Sequence, residues 1–126
     1  MAHFIRRYAF FVLVILFCNV AWAQTFEIGE IQYSVISDNE VEITKCTNNN
    51  KAEICVPSSV SYGEKQYTVT AIGKRSFSSA YLKVVQLPPT ITQIKEEAFS
   101  YCSYLENINF PNNLQKIDRK AFYDCI

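Results

Sequence analysis

The chain has 126 residues, with 12 basic and 12 acidic side chains and a formal net charge of zero. This length favours a single domain, and the charge balance excludes the basic surface that nucleic-acid binding requires. We therefore expect one domain with no nucleic-acid partner.

Residues 1–23 have the pattern of a secretory signal peptide. Arg6 and Arg7 precede the apolar run YAFFVLVILF, and the tripeptide AWA before Gln24 has the small residues of a cleavage site. A transmembrane helix is the alternative, but the run is shorter than the roughly 20 residues that a membrane span needs. We expect cleavage after Ala23, no stable membrane span, and a protein that is secreted or displayed at the cell surface.

Residues 24–68 are predicted to form an N-terminal β cap that contains a degenerate first repeat. The segments IQYSVIS and EVEITKC are typical of two strands around a turn. In the segment AEICVP, Ile54 and Val56 match Val85 and Leu87 of a later segment. Such a cap would hide the open end of a repeat core from water.

Residues 69–126 repeat one pattern. Two sets of residues recur at spacings of 22 and 23: the phenylalanines Phe77, Phe99 and Phe122, and the isoleucines Ile72, Ile94 and Ile117. The period lies within the range of about 20–29 residues that leucine-rich repeats have. The spacing therefore predicts a β-rich solenoid of leucine-rich repeats, each of about 23 residues. The last repeat is incomplete, because the chain ends inside it.

The segment LENINFP shows how one coil is built. Ile108 and Phe110 alternate with Asn107 and Asn109, which predicts a half-buried strand with the apolar pair pointing inward and the asparagines outward. Pro111 lacks the N–H that a continuing strand needs, and it ends the strand. Stacking such coils would place each phenylalanine, isoleucine and leucine above its counterpart.

The stretch ITQIKEEAFSYCSYLENINFPNNLQKIDRKAF resembles the BspA-like leucine-rich repeats, whose form is I-x-x-I-x-x-x-A-F-x-x-C-x-x-L-x-x-I-x-x-P-x-x-L. The match covers about residues 54–126. The first full repeat departs from the form, because Ser76 and Ala80 replace the alanine and the cysteine. The resemblance implies a secreted or surface-exposed protein, and some members of the family bind host matrix proteins or other cells. It carries over no catalytic residues.

The residue types argue against catalysis. The only histidine, His3, leaves with the signal peptide, so neither a Ser-His nor a Cys-His pair can form. The commonest ligand of a catalytic zinc is then also missing. Glu96 and Glu97 are adjacent and face different ways, which is typical of a solvated turn and not of paired acids across a cleft. We expect no enzyme, no metal and no cofactor.

Four cysteines follow the signal peptide. Cys102 and Cys125 lie 23 residues apart and share one slot, so stacking predicts a buried cysteine ladder; a disulfide between them is the alternative. Cys46 and Cys55 flank the segment TNNNKAEI, a predicted turn whose two arms a disulfide could join in an exported protein.

Tyrosines are the best candidates for a binding surface. Tyr81 and Tyr104 share a slot before the repeat leucine, and Tyr101 and Tyr123 lie close by on neighbouring turns. Tyrosine combines area, rigidity and a polar tip, so we hypothesise a strip that docks an extracellular protein or glycan. The alternative is that these rings are half-buried in coil packing. A second candidate is the strand row Val84, Gln86, Asn107 and Asn109.

These observations favour a secreted or cell-surface interaction module for adhesion to, or recognition of, proteins of a host or another cell. The alternative is a non-catalytic spacer or targeting domain cut from a longer repeat protein. Because the chain ends inside a repeat, its last coil would leave an uncapped edge, through which copies could self-associate.

Overall fold

A computed structural model describes residues 24–126, and the predicted signal peptide of residues 1–23 lies outside the described residues. Ten β-strands and no helix are present in this part of the chain: β1 (Thr25–Ile28), β2 (Ile31–Val35), β3 (Glu40–Cys46), β4 (Glu53–Cys55), β5 (Ser59–Tyr62), β6 (Lys65–Ile72), β7 (Val84–Gln86), β8 (Gln93–Ile94), β9 (Asn107–Ile108) and β10 (Lys116–Ile117).

The larger sheet joins the N-terminal strands to the repeats. Its strand order is β1-β2-β3-β6-β8-β10, and β5 pairs with β6 beside this path. The strands β1, β2 and β3 pair antiparallel, whereas β3, β6, β8 and β10 pair in parallel. Parallel neighbours that each come from a successive coil are the pattern of a solenoid. The boundary predicted between residues 68 and 69 falls inside β6.

The smaller sheet forms a second side of the coils. It contains β4, β7 and β9, all parallel. Its register pairs Ile54 with Val85, and Val85 in turn with Ile108. This register places β4 in the position that the later repeats give to β7 and β9, as the match between AEICVP and the later segment predicts. The predicted β-rich leucine-rich-repeat solenoid is confirmed.

The third side of each coil consists of turns. Each coil has two positions with a left-handed backbone, and all are occupied by residues other than glycine, with φ between 55° and 61°: Arg75, Ser79, Glu97, Tyr101, Lys120 and Asp124. Neighbouring coils are joined here by backbone hydrogen bonds. The Phe77 N–H donates to the Ala98 carbonyl at 2.8 Å, and the Phe99 N–H donates to the Ala121 carbonyl at 2.8 Å. These bonds satisfy backbone groups that a helix would otherwise pair internally.

The core is a set of stacked columns. The phenylalanine rings of successive coils lie parallel, with centroids 5.1 Å apart between Phe77 and Phe99 and 5.3 Å apart between Phe99 and Phe122. A second column, of isoleucines, runs beside the phenylalanines. The repeat spacing starts this column at Ile72 on β6, but the column begins one strand earlier, because Ile43 on β3 pairs with Ile72. The cap therefore contributes a strand to the same core that the repeats fill.

Two residues that follow β9 have surroundings that the repeat pattern does not specify. Phe110 is predicted to point into the coil, and its ring contacts Phe122 of the aromatic column, but it is 52% exposed. Its counterpart Leu87 is buried because a further coil covers it, whereas no coil among the described residues covers Phe110. The Phe110 ring instead packs edge-on against Phe122, with centroids 5.8 Å apart.

Asn109 is predicted to point away from the coil, and it is exposed, but its amide also bonds to the neighbouring coil. The Leu87 N–H donates to Asn109 Oδ1 at 2.7 Å, and Asn109 Nδ2 donates to the Leu87 carbonyl at 2.9 Å. The strand β9 has only two residues and ends at Ile108. Beyond its end, the side-chain amide of Asn109 makes the two hydrogen bonds to the neighbouring coil that a backbone would make in a longer strand. This residue is exposed, and its amide at the same time joins two neighbouring coils.

Candidate binding surface

Two of the predicted tyrosines form one wall of a groove along the stack. Each precedes the repeat leucine: Leu82 is buried after Tyr81, and Leu105 packs against the core after Tyr104. The leucines occupy the inward position, and the tyrosines before them lie on the outside. The rings of Tyr81 and Tyr104 have centroids 5.4 Å apart and are tilted by 34°.

The other two tyrosines come from the turn side of the coils. Tyr101 has a left-handed backbone, with φ of 59°, and its N–H donates to the Tyr123 carbonyl at 2.7 Å. The rings of Tyr101 and Tyr123 meet edge to face, with centroids 5.6 Å apart, which is a favoured arrangement for aromatic pairs.

The two pairs converge on one surface. A shallow groove, which we call the tyrosine groove, is lined by Ser79, Ala80, Tyr81, Tyr101, Ser103 and Tyr104. Tyr123 extends its rim through the contact with Tyr101. The exposed fraction of the four tyrosines is between 48% and 54%, and none belongs to the core cluster. The structure thus brings the four predicted residues together, with about half of each side chain open to solvent.

The groove has hydroxyl groups but no charge. Among residues 24–126, no charged side chain lines it. At the rim, the ammonium of Lys120 lies 5.3 Å from the ring centroid of Tyr123. Serine and tyrosine hydroxyls can each donate and accept a hydrogen bond, so this surface suits a neutral ligand with polar groups of either kind.

The repeats match a known family. Residues 70–126 match the model of the BspA-type leucine-rich repeat region in six copies. The chain is a leucine-rich repeat protein of the BspA type. This finding confirms the resemblance that the segment ITQIKEEAFSYCSYLENINFP indicates. The comparison with curated proteins gives no match.

Solved structures agree with this assignment. A leucine-rich cell-surface protein of Faecalibacterium prausnitzii is 33% identical, with a TM-score of 0.74 over 83% of this chain. A leucine-rich repeat protein of Bacteroides ovatus is 30% identical, with a TM-score of 0.72 over 79% of this chain. This BspA-type chain spans only 29% and 27% of the lengths of those two chains.

A more distant structure shows the same fold. The leucine-rich repeat protein of T. pallidum is 24% identical, with a TM-score of 0.70 over 81% of this chain and 46% of its own. None of the three proteins is described as an enzyme. No helix within residues 24–126 of the BspA-type chain is long and apolar enough to cross a membrane.

The strand row predicted as a second binding surface is a polar sheet face. Gln86 and Asn107 are exposed and Val84 is half-buried, but the amide of Asn109 is used by the backbone of Leu87. The row therefore offers fewer free polar groups than the sequence indicates.

The stacked cysteines are free thiols that bond along the stack. Cys102 Sγ donates to the Phe77 carbonyl at 3.0 Å, and Cys125 Sγ donates to the Phe99 carbonyl at 2.9 Å. Burial raises the pKa of the Cys102 thiol to about 11, which favours the protonated donor over the reactive thiolate. The predicted cysteine slot thus serves coil stacking.

Cys46 and Cys55, the candidate disulfide, are also free thiols in the structure. Cys46 is buried at the end of β3, and its Sγ donates to the Asn48 carbonyl at 3.4 Å. Cys55 follows the inward-pointing Ile54 on β4, so it faces solvent. The turn joins their strands, but the two side chains point into different surroundings and no disulfide bond joins them.

Glu96 and Glu97 pair with basic residues instead of facing each other across a cleft. Arg75 Nε lies 2.9 Å from Glu97 Oε2, and its hydrogen bond lowers the pKa of Glu97 below the ordinary value of 4.5. Glu96 lies 3.4 Å from the ammonium of Lys74 and 3.6 Å from the guanidinium of Arg119. The alternation of charge is visible in the sequence. In successive coils, one repeat position is occupied by Lys74, Glu96 and Arg119, and the next position by Arg75, Glu97 and Lys120. Among residues 24–126, no group of histidine, cysteine or acidic side chains is placed to hold a metal ion.

Proposed function

We propose that this BspA-type protein is a secreted or cell-surface interaction module that adheres to a protein of another cell or of the extracellular matrix. The observation that carries the proposal is the tyrosine groove, where four half-exposed tyrosines meet on one surface. The signal-peptide pattern of residues 1–23 supports export. The similar protein of F. prausnitzii is described as a cell-surface protein, which supports the same location.

The construction of the groove suits recognition. Two of its tyrosines are held by backbone hydrogen bonds to neighbouring segments: the Tyr101 N–H donates to the Tyr123 carbonyl, and the Tyr81 N–H donates to the Asn49 carbonyl. A side chain with few rotatable bonds on a rigid backbone loses little conformational entropy when it binds. Stacked repeats also present extended surfaces along which partners lie.

A binding assay tests the proposal. The full chain is applied to immobilised matrix proteins and to whole cells, together with the double variant Tyr81→Ser/Tyr104→Ser. We expect the wild type to bind and the double variant to lose binding, because the wall of the groove is removed while the core phenylalanines stay in place.

The matched control is Ile28→Ser/Ile36→Ser, which removes two exposed large apolar side chains from the cap and leaves the groove intact. It should bind as the wild type does, and circular dichroism should give the same spectrum for all three proteins. Binding that survives in the groove variant would refute the role of the tyrosines.

A spacer or targeting domain is the second candidate function. It is favoured by one observation: the chain spans 29% of the length of the similar F. prausnitzii chain, so an activity of such a protein can lie elsewhere. A folded wild-type chain that adheres to no matrix protein and to no cell would support this candidate over adhesion.

A further inference from the structure

Four of the six residues that line the tyrosine groove have a paired backbone N–H. The Ser79 N–H donates to the Ser100 carbonyl at 2.8 Å, and the Tyr101 N–H donates to the Tyr123 carbonyl at 2.7 Å. A peptide that binds by adding a β-strand needs a row of free backbone N–H and C=O groups. Since these donors are used between coils, recognition in the groove depends on side chains.

Three tyrosines and three small residues line the groove. The rings of Tyr81 and Tyr104 pack against each other, and Ser79, Ala80 and Ser103 complete the lining beside Tyr101. Aromatic-lined grooves of this kind accept the polyproline II helix, whose rings pack against the aromatic faces. Its carbonyl groups form no internal hydrogen bonds, and they can accept from tyrosine hydroxyls.

The chemistry of the lining argues against two other ligands. A strongly acidic or basic peptide would find no opposite charge in the groove. A glycan presents many hydroxyls that need partners when they leave water, and the groove offers only serine and tyrosine hydroxyls, without a carboxylate, amide or guanidinium group. A neutral, extended peptide needs no charged partner in the groove, and its free carbonyls can accept hydrogen bonds from the serine and tyrosine hydroxyls.

We propose that the tyrosine groove binds a proline-rich peptide segment in the polyproline II conformation. The inference rests on the proposed function and names the chemical class of its partner. The ligand is stiff before it binds, and the turns that carry Tyr101 are held by the next coil, so little entropy is lost on either side.

Calorimetric titration of the full chain tests the proposal. The probe is a short polyproline peptide, and a glycine-serine peptide of equal length is the flexible control. We expect the wild type to bind polyproline and not the control peptide, and Tyr81→Ser/Tyr104→Ser to weaken the binding at least about tenfold. The cap variant Ile28→Ser/Ile36→Ser should bind as the wild type does.

A second variant separates the hydroxyls from the rings. Tyr81→Phe/Tyr104→Phe keeps the aromatic wall, so it should retain binding with a smaller loss than the serine variant. Equal binding of the two peptides, or no binding of polyproline to the wild type, would overturn the proposal. So would groove-dependent binding of maltohexaose, used as a neutral glycan probe, in place of polyproline.

The outcomes for the inference and for the proposed function can be told apart. Adhesion to cells or matrix that depends on the groove, without polyproline binding, would overturn the inference and leave the adhesion function standing. Polyproline binding that the serine variant loses, without any adhesion, would support the inference and contradict the adhesion function.

Discussion

Single residues hold this stack at points where the backbones of neighbouring coils come close. Gly73 is the clearest case: its N–H donates to the Ile43 carbonyl at 2.7 Å, and a Cβ atom there would collide with the same oxygen. In the later coils the equivalent bonds run from the Lys95 N–H to the Ile72 carbonyl and from the Asp118 N–H to the Ile94 carbonyl. At this slot of the described coils, the close approach that requires a glycine occurs at the junction between the cap and the first repeat.

Replacing Gly73 with alanine should therefore destabilise the protein by roughly 2 kcal/mol or more, because β3 and β6 must separate to relieve the collision. Urea unfolding measures the loss. Gly63→Ala is the matched control, since a Cβ there meets nothing within 4 Å and only the left-handed backbone, with φ of 65°, is penalised. A Gly73→Ala protein as stable as the control would contradict the close approach.

The cysteines give a second prediction at this scale. At pH 8 a thiol reagent should label the exposed Cys55 first and the buried Cys102 last, since burial raises the pKa of Cys102 to about 11. After unfolding, the chain from residue 24 onward should contain four reactive thiols. A count of two would instead indicate a disulfide, and peptide mapping would show whether it joins Cys46 to Cys55.

At the scale of elements, side chains add to the backbone hydrogen bonds that join the short strands and turns of neighbouring coils. The strand β9 has two residues, and the Asn109 amide continues its pairing with Leu87 through two hydrogen bonds. Columns of ion pairs on the turn side add a second connection, in which Arg75 pairs with Glu97 of the next coil.

Asn109→Ala should lower the free energy of unfolding by about 1 kcal/mol, because both bonds to the Leu87 backbone are lost. Thermal or urea unfolding measures the change. Asn107→Ala removes a neighbouring exposed amide that makes no recorded hydrogen bond with its side chain, and it should leave stability nearly unchanged. Equal effects of the two substitutions would show that the Asn109 bonds do not stabilise the stack.

The pairing of Glu97 predicts a pH dependence. The hydrogen bond from Arg75 lowers the pKa of Glu97 below its ordinary value of 4.5, so the pair stabilises the folded state above pH 4.5. This contribution is lost as the pH falls through the lowered pKa. Urea unfolding of the wild type and of Glu97→Gln should therefore differ at pH 7 and converge in acid. The difference is expected to be small, because the pair is exposed and screened by solvent.

At the scale of the whole molecule, the two ends of the solenoid differ. The antiparallel strands β1 and β2 of the cap continue the large sheet at one end, whereas its other edge among the described residues is β10, where Ile117 is 49% exposed. Phe110 is half-exposed in the same last coil. An open strand edge with apolar side chains is a surface on which another strand can pair.

We propose that a polypeptide of residues 24–126 self-associates through this edge. Sedimentation velocity should show a sedimentation coefficient that rises with protein concentration. Ile117→Lys should abolish the rise, because a charge on the edge strand opposes pairing. Ile36→Lys changes an isoleucine that is 46% exposed in the cap, and it should behave as the wild type does. A chain that stays monomeric at all concentrations would contradict the prediction.

The repeat and its core were readable from the sequence. A solenoid places the same slot of each coil one above the other, so residues that pack together recur at the period of the chain. The spacing of Phe77, Phe99 and Phe122 therefore predicted the aromatic column, and the tyrosine slots indicated which side chains lie outside it.

Only the tertiary structure decided features that depend on a particular neighbour. Phe110 has the sequence pattern of a core residue, but burial requires a coil above it. The exposed Asn109 bonds to the Leu87 backbone of the neighbouring coil, and Ile43 joins the isoleucine column although it precedes the recognisable period. The period determined which residues share a column, because every coil repeats the same path. The structure determined which of them are covered, since that depends on what lies next to each coil.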